Sequence, residues 1–370
     1  MNRHTSLYLD IFRPLAALAV VISHVSEPGI ASGNWSSLSG IGVQAVDAFF
    51  VLSGFVIAHV ASNSEKDLRS YATSRCARIY SVAIPAIVVG FLIDITGRHF
   101  LQAPVFFDLY QGYSIGPLMR SIFFINEQWN VHRFPGSNSP YWSLGFEAWY
   151  YLLFGVAFYV KGPIKWAGLI ALAVFIGPKV LIMMPCWLLG VAAYHVQKRF
   201  TIPTLAGWAM FILRIGPVVA YQYVPKSPLQ PFMPLTLDSE RLWSTAQDFG
   251  LSLLFAFNIV GSTVVAPFFA RVLDRYSKPI KSIAATTFSI YLMHMPAMKL
   301  VASLSPVAET SIFRLPFVIA TTIAFCVVFS FVFEKQKSKW RRLFEYLADI
   351  IVYPVRRSAT GASNAERPKR

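Results

Sequence analysis

Three ionisable side chains lie in the hydrophobic stretch LDIFRPLAALAVVISH, which runs from Leu9 to His24. At ~100° per residue, Arg13 and His24 fall within ~20° of one helix face and ~16 Å apart along the axis. Asp10 precedes Arg13 by three residues and shares that face. Ionisable groups in a membrane-spanning helix usually face a cavity or a partner, so this polar stripe indicates a functional site. For Asp10 and Arg13 alone, snorkelling to the membrane interface is an equal alternative.

Two carboxylates lie in other hydrophobic stretches, Asp47 in GVQAVDAFFVLSGFVIAH and Glu147 in YWSLGFEAWYYLL. If the stretch of His24 runs outward through a membrane and that of Glu147 runs inward, both groups lie at similar depth. A carboxylate that orients a histidine and stabilises its imidazolium makes the ring a plausible general base. We therefore predict a pair of His24 and Glu147, with an ion pair of Glu147 to a Lys or Arg as the alternative. For Asp47, a helix-start carboxylate or a brace to another span is favoured.

Arginines and a second histidine complete the set of candidate groups. Arg75 and Arg78 lie three residues apart in a basic loop and would share one face if that loop is helical. Arginine binds phosphate in a bidentate way, which suits a phosphate-bearing donor. On spacing alone, a role in membrane topology is favoured over donor binding. For His294 a structural hydrogen bond is favoured over catalysis, and the widely spaced cysteines predict no metal site.

The composition is typical of a polytopic, all-α integral membrane protein. Only 14% of the residues are charged, against about 25% in soluble domains. The apolar residues form blocks of roughly 20, long enough to cross ~30 Å of hydrocarbon. The net charge of +15 lies in alternate loops, so it indicates the positive-inside rule and not a nucleic-acid partner. We predict about ten transmembrane helices with both termini in the cytoplasm.

The chain is divided into a transmembrane domain, residues 1–336, and a basic amphipathic and disordered cytoplasmic tail, residues 337–370. Anionic lipid is the expected partner of the tail. Residues 27–39 and 224–245 are predicted outer loops, and residues 97–140 should cross the membrane an even number of times. The predicted spans are approximately 8–26, 40–61, 79–96, 141–160, 164–177, 180–196, 205–224, 246–267, 283–304 and 313–333.

In this order, the motifs resemble the membrane-bound acyltransferase 3 family, bacterial proteins that acylate sugars of surface or secreted glycans. The resemblance extends from Leu9 to about Trp340. The matching pieces are LDIFRPLAALAVVISH, GVQAVDAFFVLSGFVIA, SRCARIYSVAIP, YWSLGFEAWYYLL, SIYLMHMP and VFEKQKSKW. Two positions depart from the family pattern: Ala148 replaces a second acidic residue, and Cys76 replaces an arginine adjacent to Arg75.

The resemblance implies roles for individual residues. His24 would be the catalytic histidine and Glu147 the acidic residue of the W-S-L-x-x-E segment. Arg75 and Arg78 would meet the phosphates of the donor. Supporting roles would fall to Asp10, Arg13, Asp47 and Ser53.

The implied activity is O-acyl transfer in the bacterial inner membrane. Acyl-CoA, most simply acetyl-CoA, would be the donor, and a surface, exported or lipid-linked saccharide the acceptor. His24 would act as the general base or as a transient acyl carrier. Other polysaccharide-biosynthesis proteins are possible partners. The alternatives are a transporter or exporter of a glycan or lipid, and a non-catalytic subunit of a polysaccharide synthase.

Overall fold

The computed structural model describes residues 1–31, 39–107, 110–214 and 239–364. All regular elements within these ranges are helical, which confirms the all-α prediction for them. Most of the two predicted outer loops, 27–39 and 224–245, lies outside the described residues, as do the last six residues of the tail. The helices are α1 Arg3–Ser23, α2 Ser39–Asn63, α3 Leu68–Ile95, α4 Ile115–Ile122, α5 Trp142–Tyr159, α6 Pro163–Ile176, α7 Pro178–Ile182, α8 Met184–Arg199, α9 Thr204–Ile212, α10 Ser239–Val265, α11 Ala270–Arg275, α12 Ser277–Ala284, α13 Thr287–Leu304, α14 Arg314–Val332 and α15 Lys337–Asn364.

Five helical segments among the described residues are long and apolar enough to cross a membrane. They are Arg3–Ser26, Ile41–Asn63, Leu68–Phe100, Thr245–Arg275 and Arg314–Ile350. These segments identify an integral membrane protein. The count of about ten spans and the cytoplasmic position of both termini stay predictions.

Breaks, short lengths and polar side chains explain why three other predicted spans do not qualify. The span predicted at 180–196 is divided at Met183 between α7 and α8, and Pro185 follows directly after the break. Most of the span predicted at 283–304 is α13, which has 18 residues but contains the polar side chains of His294 and Lys299. Helix α6 has 14 residues, which reach only ~21 Å.

Helix α3 begins about two turns before Arg75, so the arginines are helical and not part of a loop. Asp67 caps α3: its carboxylate accepts a hydrogen bond from the Ser70 backbone N–H (2.7 Å), and the Ser70 hydroxyl accepts one from the Asp67 N–H. These bonds satisfy two of the free donors at a helix start. The bond from Ser70 also lowers the pKa of Asp67. This cap fixes Arg75 and Arg78 on one face of a regular helix.

Among the described residues of the segment 97–140, no helix is long enough to cross a membrane. Helix α4 has eight residues, and the other described residues form short helical turns and irregular backbone. Buried polar contacts hold it: the Ser137 hydroxyl donates to Asp94 (2.5 Å), and Lys179 Nζ donates to Glu127 (2.5 Å). Non-helical backbone at membrane depth requires such burial within protein.

The bundle has a basic end, defined here by Arg3, Arg75, Lys281 and Lys337. Helix α1 begins there, because Arg3 pairs with Asp274 beside α12 (3.1 Å). The tail helix α15 also lies there and packs along α3: Arg69 donates to Asp349 (2.5 Å), and the rings of Tyr80 and Phe344 lie 5.5 Å apart. Helices α1, α2, α3, α5 and α13 enclose the space described below.

Helices α2 and α8 approach each other closely at two glycines. A Cβ added at Gly190 would lie 1.8 Å from the Val51 carbonyl oxygen, and one at Gly54 would lie 2.1 Å from the Trp187 carbonyl oxygen. Small residues allow this approach in membrane helix pairs. The contact places Ser53, next to Gly54, against α5 and α8.

Gly190→Ala should therefore force α2 and α8 apart and lower the free energy of unfolding by about 1–3 kcal/mol. The measurement is the Tm of the purified protein in detergent. Gly250→Ala in α10 is the matched control, because a Cβ there meets no atom within 4 Å. Equal Tm values for both variants would contradict the packing described here.

Candidate active site

His24 lies where α1 changes into a 3₁₀ turn, residues His24–Ser26. In 3₁₀ geometry side chains three residues apart are eclipsed, so Glu27 folds back over His24. His24 Nδ1 lies 2.6 Å from Glu27 Oε1. An ionised carboxylate only accepts, so Nδ1–H is the donor and Nε2 of the neutral ring keeps its lone pair. The His24 side chain is 27% exposed, which leaves it accessible.

The predicted contact of His24 with Glu147 is therefore replaced by one with Glu27. Glu147 accepts a hydrogen bond from the Ser53 hydroxyl (2.6 Å) and another from the Tyr151 hydroxyl. Trp187 Nε1–H donates in turn to the Ser53 oxygen (3.2 Å). The prediction failed because Glu147 does not lie at the level of His24: its charge acts on Arg78 and on Arg13, which precedes His24 by 11 residues along α1. A turn three residues long supplied a nearer carboxylate.

A cavity of about 410 Å³ lies between α1, α2, α3, α5 and α13 at the basic end. Ser53 and Tyr151 line it together with charged side chains of both signs. Cations outnumber carboxylates among these lining residues, so the cavity suits an anionic ligand. The charged lining residues are Asp10, Arg13, Arg75, Arg78, Glu147, Lys281, Glu334, Lys335 and Lys337.

The arginines of this cavity differ in whether they already form a salt bridge. Arg13 pairs with Asp10 on its own helix (3.0 Å), one turn away as the spacing predicts. Arg75 pairs with Glu65 (2.6 Å), and both side chains are largely buried. Arg78 forms no salt bridge with a described residue, although the charges of Glu147 and Glu334 act on it. Arg78 is thus the arginine best placed to meet a ligand anion.

At the end of the cavity nearest His24, the hydroxyls of Ser143 and Tyr291 lie 2.6 Å apart. His294 follows one turn later on α13 and donates from Nδ1 to the Tyr291 carbonyl oxygen (2.7 Å). The ring centroids of His294 and His24 lie 5.2 Å apart. The structure therefore brings His24 close to the cavity through Tyr291 and His294, without making it a lining residue.

Asp47 does not line the cavity. It lies more than two turns inside α2, is 2% exposed and approaches Asp248 of α10. The helix-start interpretation is therefore wrong, because α2 begins at Ser39. A contact between two helices is the remaining interpretation.

The sequence carried weak signals for some of the site residues that it did not identify. Glu27 lies three residues after His24, and Tyr151 lies four after Glu147, both spacings that bring side chains together on a helix. Lys281, Lys337 and Tyr291 come from distant segments, and only the tertiary structure brings them to the cavity. No group of three or more metal-ligating side chains occurs within the described ranges.

The fold and the site define a helical membrane protein whose positively charged cavity ends near a histidine with a carboxylate partner. The chain belongs to the acyltransferase 3 family, because the acyltransferase domain of that family matches residues 6–331. This confirms the resemblance found in the motifs.

One curated relative is similar over most of this chain. Peptidoglycan O-acetyltransferase OatA of Listeria monocytogenes is 24% identical over 351 residues, which is 85% of this chain and 53% of the relative. This chain thus spans about half the length of that protein. No solved structure is significantly similar.

Proposed function

We propose that this protein is a membrane O-acyltransferase that moves an acyl group, most simply acetyl, from cytoplasmic acyl-CoA to a saccharide hydroxyl. The observation that carries the proposal is the cationic cavity. Tyr291 lines the cavity, and His294, His24 and Glu27 follow in successive contacts beyond it. Family membership and the similarity to an O-acetyltransferase support the reaction class. The acceptor is a surface, exported or lipid-linked glycan, and the location is the bacterial inner membrane.

The donor enters from the basic end of the bundle. The positive-inside rule supports a cytoplasmic position for this end, on the side where acyl-CoA is available. Arg78 and the lysines that line the cavity bind the CoA phosphates, and the planar guanidinium group of Arg78 is well suited to phosphate. Phe49, Phe50 and Phe288 line the same cavity and provide an apolar surface for the pantetheine arm. The thioester then points toward Tyr291 and His24.

His24 performs the proton transfer. Nδ1–H is held by Glu27, so Nε2 accepts the proton of the acceptor hydroxyl while the hydroxyl oxygen attacks the acyl carbon. The C–S bond then breaks, and the departing CoA thiolate takes the proton from Nε2. If His24 instead carries the acyl group transiently, the same nitrogen is the nucleophile. Partial exposure of His24 lets the acceptor approach without passing through the donor cavity.

The remaining groups shape the cavity. Glu147, held by Ser53 and Tyr151, balances part of the charge of Arg13 and Arg78. Asp10 orients Arg13 through their salt bridge. Asp47 contributes to the packing of α2 against α10 and does not meet the donor.

The function is tested by mass spectrometry of surface glycans and glycolipids from cells that carry the wild-type protein, His24→Ala or no copy. An acyl mass found only with the wild type supports the proposal and identifies the acceptor. Acylation that needs the protein but survives His24→Ala would contradict the role of His24. An unmodified but mislocalised glycan in cells without the protein would favour the transporter alternative.

Arg78→Gln should raise the KM for acetyl-CoA by about 10- to 100-fold, the usual range for a lost hydrogen bond to a charged group. The rate with S-acetyl-N-acetylcysteamine, a thioester without phosphates, should change little. Initial rates in membrane vesicles with both donors measure this difference. Arg120→Gln, on the short helix α4 away from the cavity, is the control. Equal losses with both donors would show that Arg78 does not act through phosphate.

A further inference from the structure

His294 is a buried histidine in which only one of the two ring nitrogens forms a hydrogen bond with a described residue. Its ring is fully buried in α13. Nδ1 donates to the carbonyl oxygens of Tyr291 (2.7 Å) and Ile290 (3.2 Å). Since carbonyl oxygens only accept, Nδ1 carries the hydrogen and Nε2 of the neutral ring carries a lone pair. Nε2 has no hydrogen-bond partner among the described residues. A buried acceptor without a donor costs free energy, so its presence calls for an explanation.

The ring facing His294 is that of His24. The two centroids are 5.2 Å apart with an interplanar angle of 44°. His24 Nδ1 is committed to Glu27 at 2.6 Å, so Nε2 is its only nitrogen available for a further bond. Each ring therefore has Nδ1–H bound elsewhere and a lone pair at Nε2. Two lone pairs cannot bond to each other until one ring gains a proton.

We propose that His294 is a positioning residue for acyl transfer: its Nε2 accepts a hydrogen bond from the N–H that His24 Nε2 acquires during the reaction. This inference rests on the proposed function. The acceptor O–H bond breaks and its proton moves to His24 Nε2, while the O–C bond to the acyl group forms. The C–S bond then breaks, and the proton passes from His24 to the thiolate. The hydrogen bond to His294 exists only while His24 holds the proton.

The timing of this bond determines its kinetic effect. An interaction absent from the resting enzyme but present in the transition state raises kcat and leaves donor binding unchanged. Loss of a hydrogen bond to a charged group should lower kcat by about 10- to 100-fold. The KM for acetyl-CoA should not change. A purely structural role of His294 would instead reduce the amount of folded protein.

Two substitutions test the roles of the two ring nitrogens of His294 separately. The amide of His294→Asn lies near the position of Nδ1 and can still donate to the Tyr291 carbonyl oxygen, but nothing replaces Nε2. The longer His294→Gln places a carbonyl acceptor near Nε2 and loses the bond to Tyr291. We expect the Asn variant to lose kcat by about 10- to 100-fold and the Gln variant to keep most of it. A structural role predicts the reverse order, because Gln disturbs the helix contact more.

The experiment uses the full chain in membrane vesicles with radiolabelled acetyl-CoA. The initial rate of label appearing in alkali-labile ester is divided by the amount of folded protein, and kcat and KM are compared. His195→Asn on α8, an exposed histidine outside the cavity, should behave as wild type. The double variant His24→Ala/His294→Asn should be no slower than His24→Ala, because His294 acts through His24.

The outcomes separate this inference from the proposed function. Wild-type vesicles that transfer no label would contradict the proposed function itself, and transfer unaffected by His24→Ala would contradict the role of His24 and with it this inference. If His24→Ala is inactive while His294→Asn keeps the wild-type kcat, only the role of His294 is overturned. The same holds if Asn and Gln lose activity equally, or if the double variant is slower than His24→Ala. A loss of kcat confined to Asn supports the inference.

Discussion

His24→Ala is expected to lower acyl transfer by about 10²- to 10⁴-fold, the contribution typical of a positioned general base. The physical reason is that alanine leaves no group to take the hydroxyl proton, while the donor cavity stays intact. KM for acetyl-CoA should therefore remain near its wild-type value. The measurement is the initial rate of ester formation in membrane vesicles, together with the amount of acyl group on the glycans of whole cells.

The control for this prediction is His195→Ala, which removes an exposed histidine on α8. It should retain wild-type activity and a similar Tm. His24→Ala should also keep its Tm within a few degrees, because a side chain that is 27% exposed contributes little to the core. A variant that stays folded and transfers acyl groups at more than a tenth of the wild-type rate would rule out His24 as the essential base.

Glu27→Gln should decrease kcat by about 10- to 100-fold. Glu27 holds His24 Nδ1–H at 2.6 Å and stabilises the imidazolium that forms when Nε2 takes a proton. Glutamine can still accept the hydrogen bond but supplies no negative charge. The ground state of the site changes little, so KM should stay constant. Steady-state kinetics with acetyl-CoA measure both parameters.

A double variant tests whether Glu27 acts through His24. If it does, His24→Ala/Glu27→Gln should be as slow as His24→Ala alone, because residues that act as a unit are not additive. A further decrease in the double variant would assign Glu27 an independent role. Full activity of Glu27→Gln would show that the charge of Glu27 is not required, and Glu147 would again be the candidate carboxylate for His24.

One short buried hydrogen-bond network beside the cavity determines the position of several charged side chains. Ser53 contacts both Glu147 and Trp187, and it is adjacent to Gly54 at the contact of α2 with α8. A change in helix spacing at Gly54 would therefore move the carboxylate that faces Arg13 and Arg78. This connection accounts for a small residue and a polar residue side by side in the second helix.

The sequence by itself determined the membrane class, the all-α architecture and the family. These properties depend on local composition and on motifs in a fixed order, which require no knowledge of contacts. It also placed Asp10 and Arg13 on one helix face, because residues three apart on a helix are neighbours. The long apolar blocks likewise located most helices, although α3 begins earlier than expected because Asp67 caps it.

Only the tertiary structure decided which groups meet. A 3₁₀ turn gave His24 a partner in Glu27, and the packing of α5 against α2 placed Glu147 against Ser53. The cavity combines residues from segments more than two hundred positions apart, such as Arg13 and Lys281. Periodicity specifies which face of each helix is polar, but the packing of backbones at contacts such as Gly190 against Val51 selects which faces are opposed.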